Sequence, residues 1–150
     1  MSISVCIFAR NEEQRLPQCL GALDAAGLGA EDQSHILING CTDDTAKVAR
    51  SLAAADARIT IHELPIGDKA NAWNEYVHRI ADPAVPVHVF IDGDITASGG
   101  AIIALEAALR ASPTSSAATA AGNAPASSSA RRAGRCRAML QSSVVAPLAR

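Results

Sequence analysis

Residues 87–96, VHVFIDGDIT, constrain the fold of this chain more than any other stretch. An apolar run rich in β-branched residues stops at two carboxylates, Asp92 and Asp94, with one glycine between them. A strand buried on both faces reads as a continuous apolar run, so this one belongs inside a parallel sheet and delivers its acids to the rim. Two acids so close repel each other unless a cation or hydrogen-bond donors intervene. They read either as a metal site or as caps on the segment leading to Gly99, and the repulsion favours the metal.

Strand and helix patterns alternate ahead of this stretch. Residues 2–8, SISVCIF, read as a buried strand, and 9–13 as the loop leaving its carboxyl end. Pro17 fits the first turn of a helix but not its middle, so a helix is expected from Leu16. Leu16, Leu20 and Leu23 would be its apolar stripe, and Gly27 with Gly29 its end. Residues 35–38 predict a second strand, and 39–42, NGCT, a turn. Thr42 would cap a helix that carries Val48 and Leu52 on one face and runs to about Asp56. A third strand is expected over 58–64, with Thr60 and His62 on one face and Ile59 and Ile61 on the other. Residues 69–80 predict one helix with Trp73, Val77 and Ile80 turned inward. Pro83 and Pro86 bracket the turn before VHVFIDGDIT, and beyond Gly99 and Gly100 a helix presents Ile102, Leu105 and Leu109 to the core. Such alternation argues for an α/β fold, a mostly parallel Rossmann-like sheet flanked by helices.

With 150 residues, 49% of them hydrophobic, the chain can bury one core of ordinary size. Residues 1–112 carry the α/β pattern. Residues 113–130 are almost wholly Ala, Ser, Thr, Gly and Pro, have little with which to build a core, and read as a weakly ordered connector. Residues 131–150 form a short C-terminal segment, with the basic run RRAGRCR, read as a solvated face, and a last apolar stretch over 139–148. The net charge of -2 gives no general reason to bind nucleic acid or anionic membrane, so an anionic ligand must be captured locally. The four cysteines show neither CxxC nor Cys/His spacing, which argues against zinc, and Cys6 and Cys19 read as buried thiols. His35, His62, His78 and His88 show no paired ligand spacing either. No apolar run reaches the roughly 18 residues of a membrane span, and residues 1–10 lack the layout of a secretory signal. A cytoplasmic location is the expectation, with peripheral contact at the inner face of a membrane compatible with it.

In an open parallel sheet, ligands sit outside the carboxyl ends of the strands. The residues expected there are Asn11, Glu12 and Glu13, then Asn39 and Asp43, then Gly67 and Lys69, and finally Asp92 and Asp94. Carboxylates with other oxygen donors and no sulfur suit a hard ion, magnesium or manganese, which would bridge phosphate oxygens. No G-x-G-x-x-G, no G-x-x-x-x-G-K-[ST] and no G-x-S-x-G occurs, which lowers the odds of a dinucleotide site, a P-loop or a hydrolase elbow.

The segments SVCIFARNEEQRL, ILINGCTDDTAKVA, GDKANAWNEYV and VFIDGDI resemble, in order, the four sequence blocks of family 2 glycosyltransferases of the GT-A fold. The family's usual forms are a strand ending in Asn-Glu, a D-[DG]-[SG]-x-D-x-T block, a G-K-x-x-A-x-N block and a strand ending in D-x-D. The resemblance covers roughly residues 2–109. It implies a nucleoside diphosphate sugar as donor and an acceptor that is a glycan, a lipid or a small molecule. It further implies that Ala9, Asn11 and Glu13 line the floor for base and ribose, and that Asp43 fixes its block. Asn39 stands where the family usually has an Asp that contacts the base. Lys69 and Asn74 would flank the diphosphate or ribose, and Asp92 and Asp94 would be the D-x-D pair, with Asp94 as direct metal ligand. An inverting transferase also needs a general base, and no Asp or Glu follows Glu106 to supply one. The chain is therefore expected to be the donor-binding half of a glycosyltransferase, with 131–150 a truncated acceptor half, binding donor and metal while turning over poorly.

Two rival readings remain at this point. DGDIT also resembles the D-x-D-x-T signature of haloacid-dehalogenase-like phosphatases, with Asp92 as nucleophile and Asp94 as acid and base. That motif normally sits on a first strand and needs a later lysine, and none follows Lys69. A non-catalytic module that binds nucleotide sugars is the other.

Overall fold

A computed structural model describes residues 2–111, 117–121 and 137–141. Strands β1 (Ile3–Ala9), β2 (Gln33–Asn39), β3 (Ile59–Leu64) and β4 (Val87–Asp92) are parallel and lie in the order β3-β2-β1-β4. Beyond β4 the sheet continues antiparallel through β6 (Arg137–Gln141) to β5 (Ala117–Ala121). Five helices accompany it among the described residues: α1 (Leu16–Gly21), α2 (Leu23–Ala26), α3 (Thr45–Ala55), α4 (Lys69–Glu75) and α5 (Ala101–Ala111). The mostly parallel sheet read from the alternation is thus present. Within the Ala/Ser-rich run, the backbone of β5 pairs with β6. The rest of 113–130, and most of 131–150, lie outside the described residues.

Strand periodicity sorts the apolar residues onto two faces. Val5, Ile7, Ile36, Val89 and Ile91 point to one side, where Leu16, Leu23, Ala49, Ile102, Leu105 and Leu109 close over them. Cys6, Phe8, Leu37 and Phe90 point to the other, where Ala72 and Tyr76 cover them, with Trp73 and Ile80 partly buried. Each large side chain so buried contributes roughly 1.5–3 kcal/mol. Cys6 and Cys19 are buried and free, as expected. At the opposite end from the strands' carboxyl termini, buried Asp32 accepts from Ile3 N at 2.7 Å and Gly29 N at 2.7 Å, fixing the entry to β1.

Two local expectations are corrected. Residues 69–80 do not form one regular helix: α4 passes into a π-helical turn over Tyr76–Ile80, in which Ala81 N reaches back to Tyr76 O at 2.8 Å. The wider turn rotates the inward face, so Tyr76 is fully buried and Val77 is exposed. Thr42 does not cap α3. It is exposed and donates its backbone N–H to Asn11, while Asp43 accepts from Thr45 N at 3.0 Å and holds the first turn.

The Tyr76 face holds a histidine-rich cluster. The Tyr76 hydroxyl bridges Ser4 Oγ at 2.7 Å and His88 Nδ1 at 2.9 Å, and His35 Nδ1 lies 3.1 Å from His62 Nε2. Burial, then the neighbouring His62 and His88, lowers the His35 pKa from 6.5 to about 4. His62 and His88 are lowered chiefly by burial as well. The unfolded chain therefore takes up these protons first, so stability held above pH 6.5 declines as the pH falls toward 4. Thermal melting between pH 7 and 4.5 should show this decline, and His35→Gln should flatten it; a constant melting temperature would contradict it.

Candidate functional site

The chain winds outward from β1 through β2 to β3 and then returns to the far side of β1 for β4. That reversal leaves a crevice at the carboxyl ends of β1 and β4, the place where open α/β sheets take ligands. Strand alternation puts Phe8, Asn39 and Asp92 on the face that α4 covers, with Phe8 opposite Asp92 in the ladder. An open cleft of about 260 Å³ lies there, lined by Phe8, Arg10, Glu12, Asn39, Lys69, Asp92, Gly93 and Asp94.

Glycines bring its loops together. Gly93 N donates to Phe8 O at 2.8 Å, and a Cβ on Gly93 would lie 3.1 Å from that oxygen, so the two aspartates flank a backbone pinned to β1. Gly40 sits at φ +55°, where a Cβ would lie 2.5 Å from Gly67 N, joining the loops after β2 and β3. Arg10 then crosses from the first loop to donate to Gly67 O at 2.6 Å.

The charges pair across elements. Lys69, the first residue of α4, is placed by Asp68, whose carboxylate accepts from Ala70 N at 2.8 Å. Its ammonium pairs with Asp92 Oδ1 and lies 5.5 Å from the centre of the Phe8 ring. Arg15 approaches Asp94 at 3.6 Å and Glu12 at 3.9 Å. Burial, then the charge of Asp94, raises the Glu12 carboxyl above its usual range; Arg15 opposes this, and Asp43 and Asp92 add to it. Burial, then Asp94, Asp92 and Glu12, pushes the Cys19 thiol up to about 12, so it stays protonated beneath the acids. Asn39 is buried, and its Oδ1 has no hydrogen-bond partner. An orphaned acceptor of this kind costs about 1–3 kcal/mol unless a ligand or water fills it.

Other expected site residues build the frame. Asn11 Oδ1 accepts from Thr42 N at 2.9 Å, Glu13 Oε2 from Asp44 N at 2.9 Å, and Asp43 Oδ2 from Glu13 N at 3.3 Å. Burial tends to raise the Asp43 pKa, but hydrogen bonds from Thr45 and the Glu13 backbone lower it overall. Ala9 is fully buried, with its carbonyl accepting from Cys41 Sγ at 3.4 Å. Asn74 is exposed on α4 and does not line the cleft. The structure therefore gathers Asn39, Lys69, Asp92 and Asp94 around one cavity and sets Ala9, Asn11, Glu13 and Asp43 in its loop framework.

Sequence reasoning assigned no role to Phe8, Arg10, Arg15 or Thr45. Thr45 was legible as the last residue of the D-x-T block; it is buried, donates to Asp43 and accepts from Glu12 N at 2.8 Å. The parity of Phe8 with Asp92 was a further signal, whereas the two arginines reach the cleft through loop geometry that no spacing reveals.

Among the described residues no group of three or more His, Cys, Asp or Glu is gathered to hold a metal ion. Asp92 and Asp94 alone suit magnesium or manganese in its usual form, with one or two carboxylates and the remaining positions filled by phosphate oxygens and water. The donor set thus fits a metal shared with a phosphate ligand and not one caged by protein. No helix among the described residues is long and apolar enough to cross a membrane.

Sheet order and cleft define the GT-A class of Rossmann-like domains, and solved structures share this fold. A mannosyltransferase from Pyrobaculum calidifontis, in complex with GDP-Man and Mn2+, matches with a TM-score of 0.66 at 22% identity over 77% of this chain and 34% of its own. TarS from S. aureus, in its 1-349 form, matches with a TM-score of 0.62 at 18% identity over 78% of this chain and 34% of its own; it is also known in complex with UDP-GlcNAc. A 4-diphosphocytidyl-2C-methyl-D-erythritol synthase from Anaerococcus prevotii matches at 0.61, with 15% identity over 93% of this chain and 69% of its own. No curated protein matches the sequence. The family profile is decisive: residues 4–137 match glycosyl transferase family 2, and the chain belongs to that family. It spans about a third of the length of the two glycosyltransferases. Nothing supports the phosphatase reading, and Thr96, which it required, is exposed and outside the cleft.

Proposed function

We propose that this chain binds a nucleoside diphosphate sugar with a divalent metal and serves as the donor half of a metal-dependent glycosyl transfer. The observation that carries the proposal is the meeting, in one cleft, of Asp92 and Asp94, the cation Lys69 and the orphaned Asn39 Oδ1. Asp94, the more exposed acid, is the direct metal ligand, and Asp92 shares the ion or orders its water. When bound, the metal neutralises charge that accumulates on the departing diphosphate. Lys69 and Arg10 turn toward the phosphates, and Asn39 accepts an N–H of the base while its amide nitrogen can donate to it. Asn11, Glu13, Asp43 and the buried Ala9 hold the loops that shape the base and ribose floor. Residues 1–112 act as the donor unit.

Isothermal titration with UDP-sugars and GDP-sugars, with and without manganese, tests the proposal. Metal-dependent binding is expected. A folded protein that binds no nucleoside diphosphate under either condition contradicts it.

A further inference from the structure

Both aspartates of the cleft already carry a cation from elsewhere in the fold. Lys69, at the head of α4, pairs with Asp92, and Arg15, at the start of α1, stands 3.6 Å from Asp94 and 3.9 Å from Glu12. Resting on the donor-site reading, we propose that Lys69 and Arg15 are built-in counter-cations that close the aspartate pair to free divalent metal. The donor's diphosphate opens the pair by drawing Lys69 away.

Three carboxylates, Glu12, Asp92 and Asp94, face one cleft. Left alone they would repel one another and attract any free cation. With Lys69 and Arg15 in place, and Arg10 also lining the cleft, the local charge is nearly balanced and a free metal ion must displace an existing ion pair. The Lys69 side chain is 59% exposed on a flexible four-carbon stem, while its backbone is fixed by the Asp68 cap, so its head group can change partner without disturbing α4. A diphosphate brings several negative charges and competes directly for that ammonium. Once Lys69 has turned to the phosphates, Asp92 and Asp94 regain net negative charge beside phosphate oxygens, which is the donor set magnesium or manganese prefers. Metal and nucleotide should therefore each raise the affinity of the other by the same factor.

Titration of manganese into the wild-type chain and Lys69→Met, each alone and with saturating UDP or GDP, decides the point. Far-UV circular dichroism confirms that both are folded. In the wild type, manganese alone should bind weakly, and nucleotide should tighten it by about tenfold or more, within the usual range of coupling between sites. Lys69→Met should tighten manganese alone by about fivefold or more and shrink the gain from nucleotide; Lys69→Arg should restore the weak wild-type binding of manganese alone. Unchanged or weaker binding of manganese alone to Lys69→Met overturns the counter-cation role even if nucleotides bind. Absence of UDP and GDP binding to the folded wild type overturns the donor reading and the opening step, whatever Lys69→Met does to manganese alone.

Discussion

Gly40→Ala is expected to lower the melting temperature by about 10 °C or more, or to prevent folding altogether. At φ +55° an L side chain carries a penalty of about 1–2 kcal/mol. The new Cβ would also lie 2.5 Å from Gly67 N and 2.6 Å from Gly67 Cα, backbone atoms with no rotamer to give. Forcing such a contact apart costs about 1–3 kcal/mol, and the sum is a large share of the roughly 5–15 kcal/mol that holds a domain together. The displaced loop is also the one that accepts from Arg10 at Gly67 and leads to the Asp68 cap beneath Lys69. Any Gly40→Ala protein that folds should therefore have a damaged cleft. Gly21→Ala is the control: nothing lies within 4 Å of its added Cβ, and its melting temperature should stay near wild type. Differential scanning calorimetry on the pair checks the prediction, and equal melting temperatures would refute it.

The second large effect is chemical. Asp94→Asn should reduce manganese-dependent affinity for a nucleoside diphosphate by about 100-fold, equivalent to about 2.7 kcal/mol, because the direct metal ligand loses its charge. The exchange preserves shape, and the side chain is 39% exposed, so stability should change little. Arg15 keeps Glu12 as a partner. Binding measured without metal should be nearly unchanged. Paired titrations with and without manganese check this, and an equal loss in both would mean that Asp94 acts on the nucleotide and not through a metal.

The contrast between those residues shows what the sequence could reveal. VHVFIDGDIT announced a strand delivering acids to a rim because burial on both faces and the abrupt change to carboxylates are local properties, and β4 ends at Asp92. Ile102, Leu105 and Leu109 were read from helical spacing and are the buried residues of α5. Helical spacing misplaced Val77 because the π turn depends on seating Tyr76 between Ser4 and His88, two strands that only the folded sheet brings together. Asn11, Glu13 and Asp43 were recognised as site residues, yet their side chains bond loop to loop, a use that spacing alone cannot separate from ligand contact. The partnering of Lys69 with Asp92 and of Arg15 with Asp94 depends on long side chains meeting across loops, and no linear pattern encodes it.

The central claim is that the crevice between β1 and β4 holds a diphosphate and a metal together. A crystal structure grown with UDP or GDP and manganese tests it most directly. The expected result is a manganese ion on the Asp94 carboxylate that also contacts the diphosphate, with Lys69 turned from Asp92 to the phosphates and the base against Asn39. A nucleotide seated elsewhere, or a manganese ion that touches neither Asp92 nor Asp94, would contradict the account.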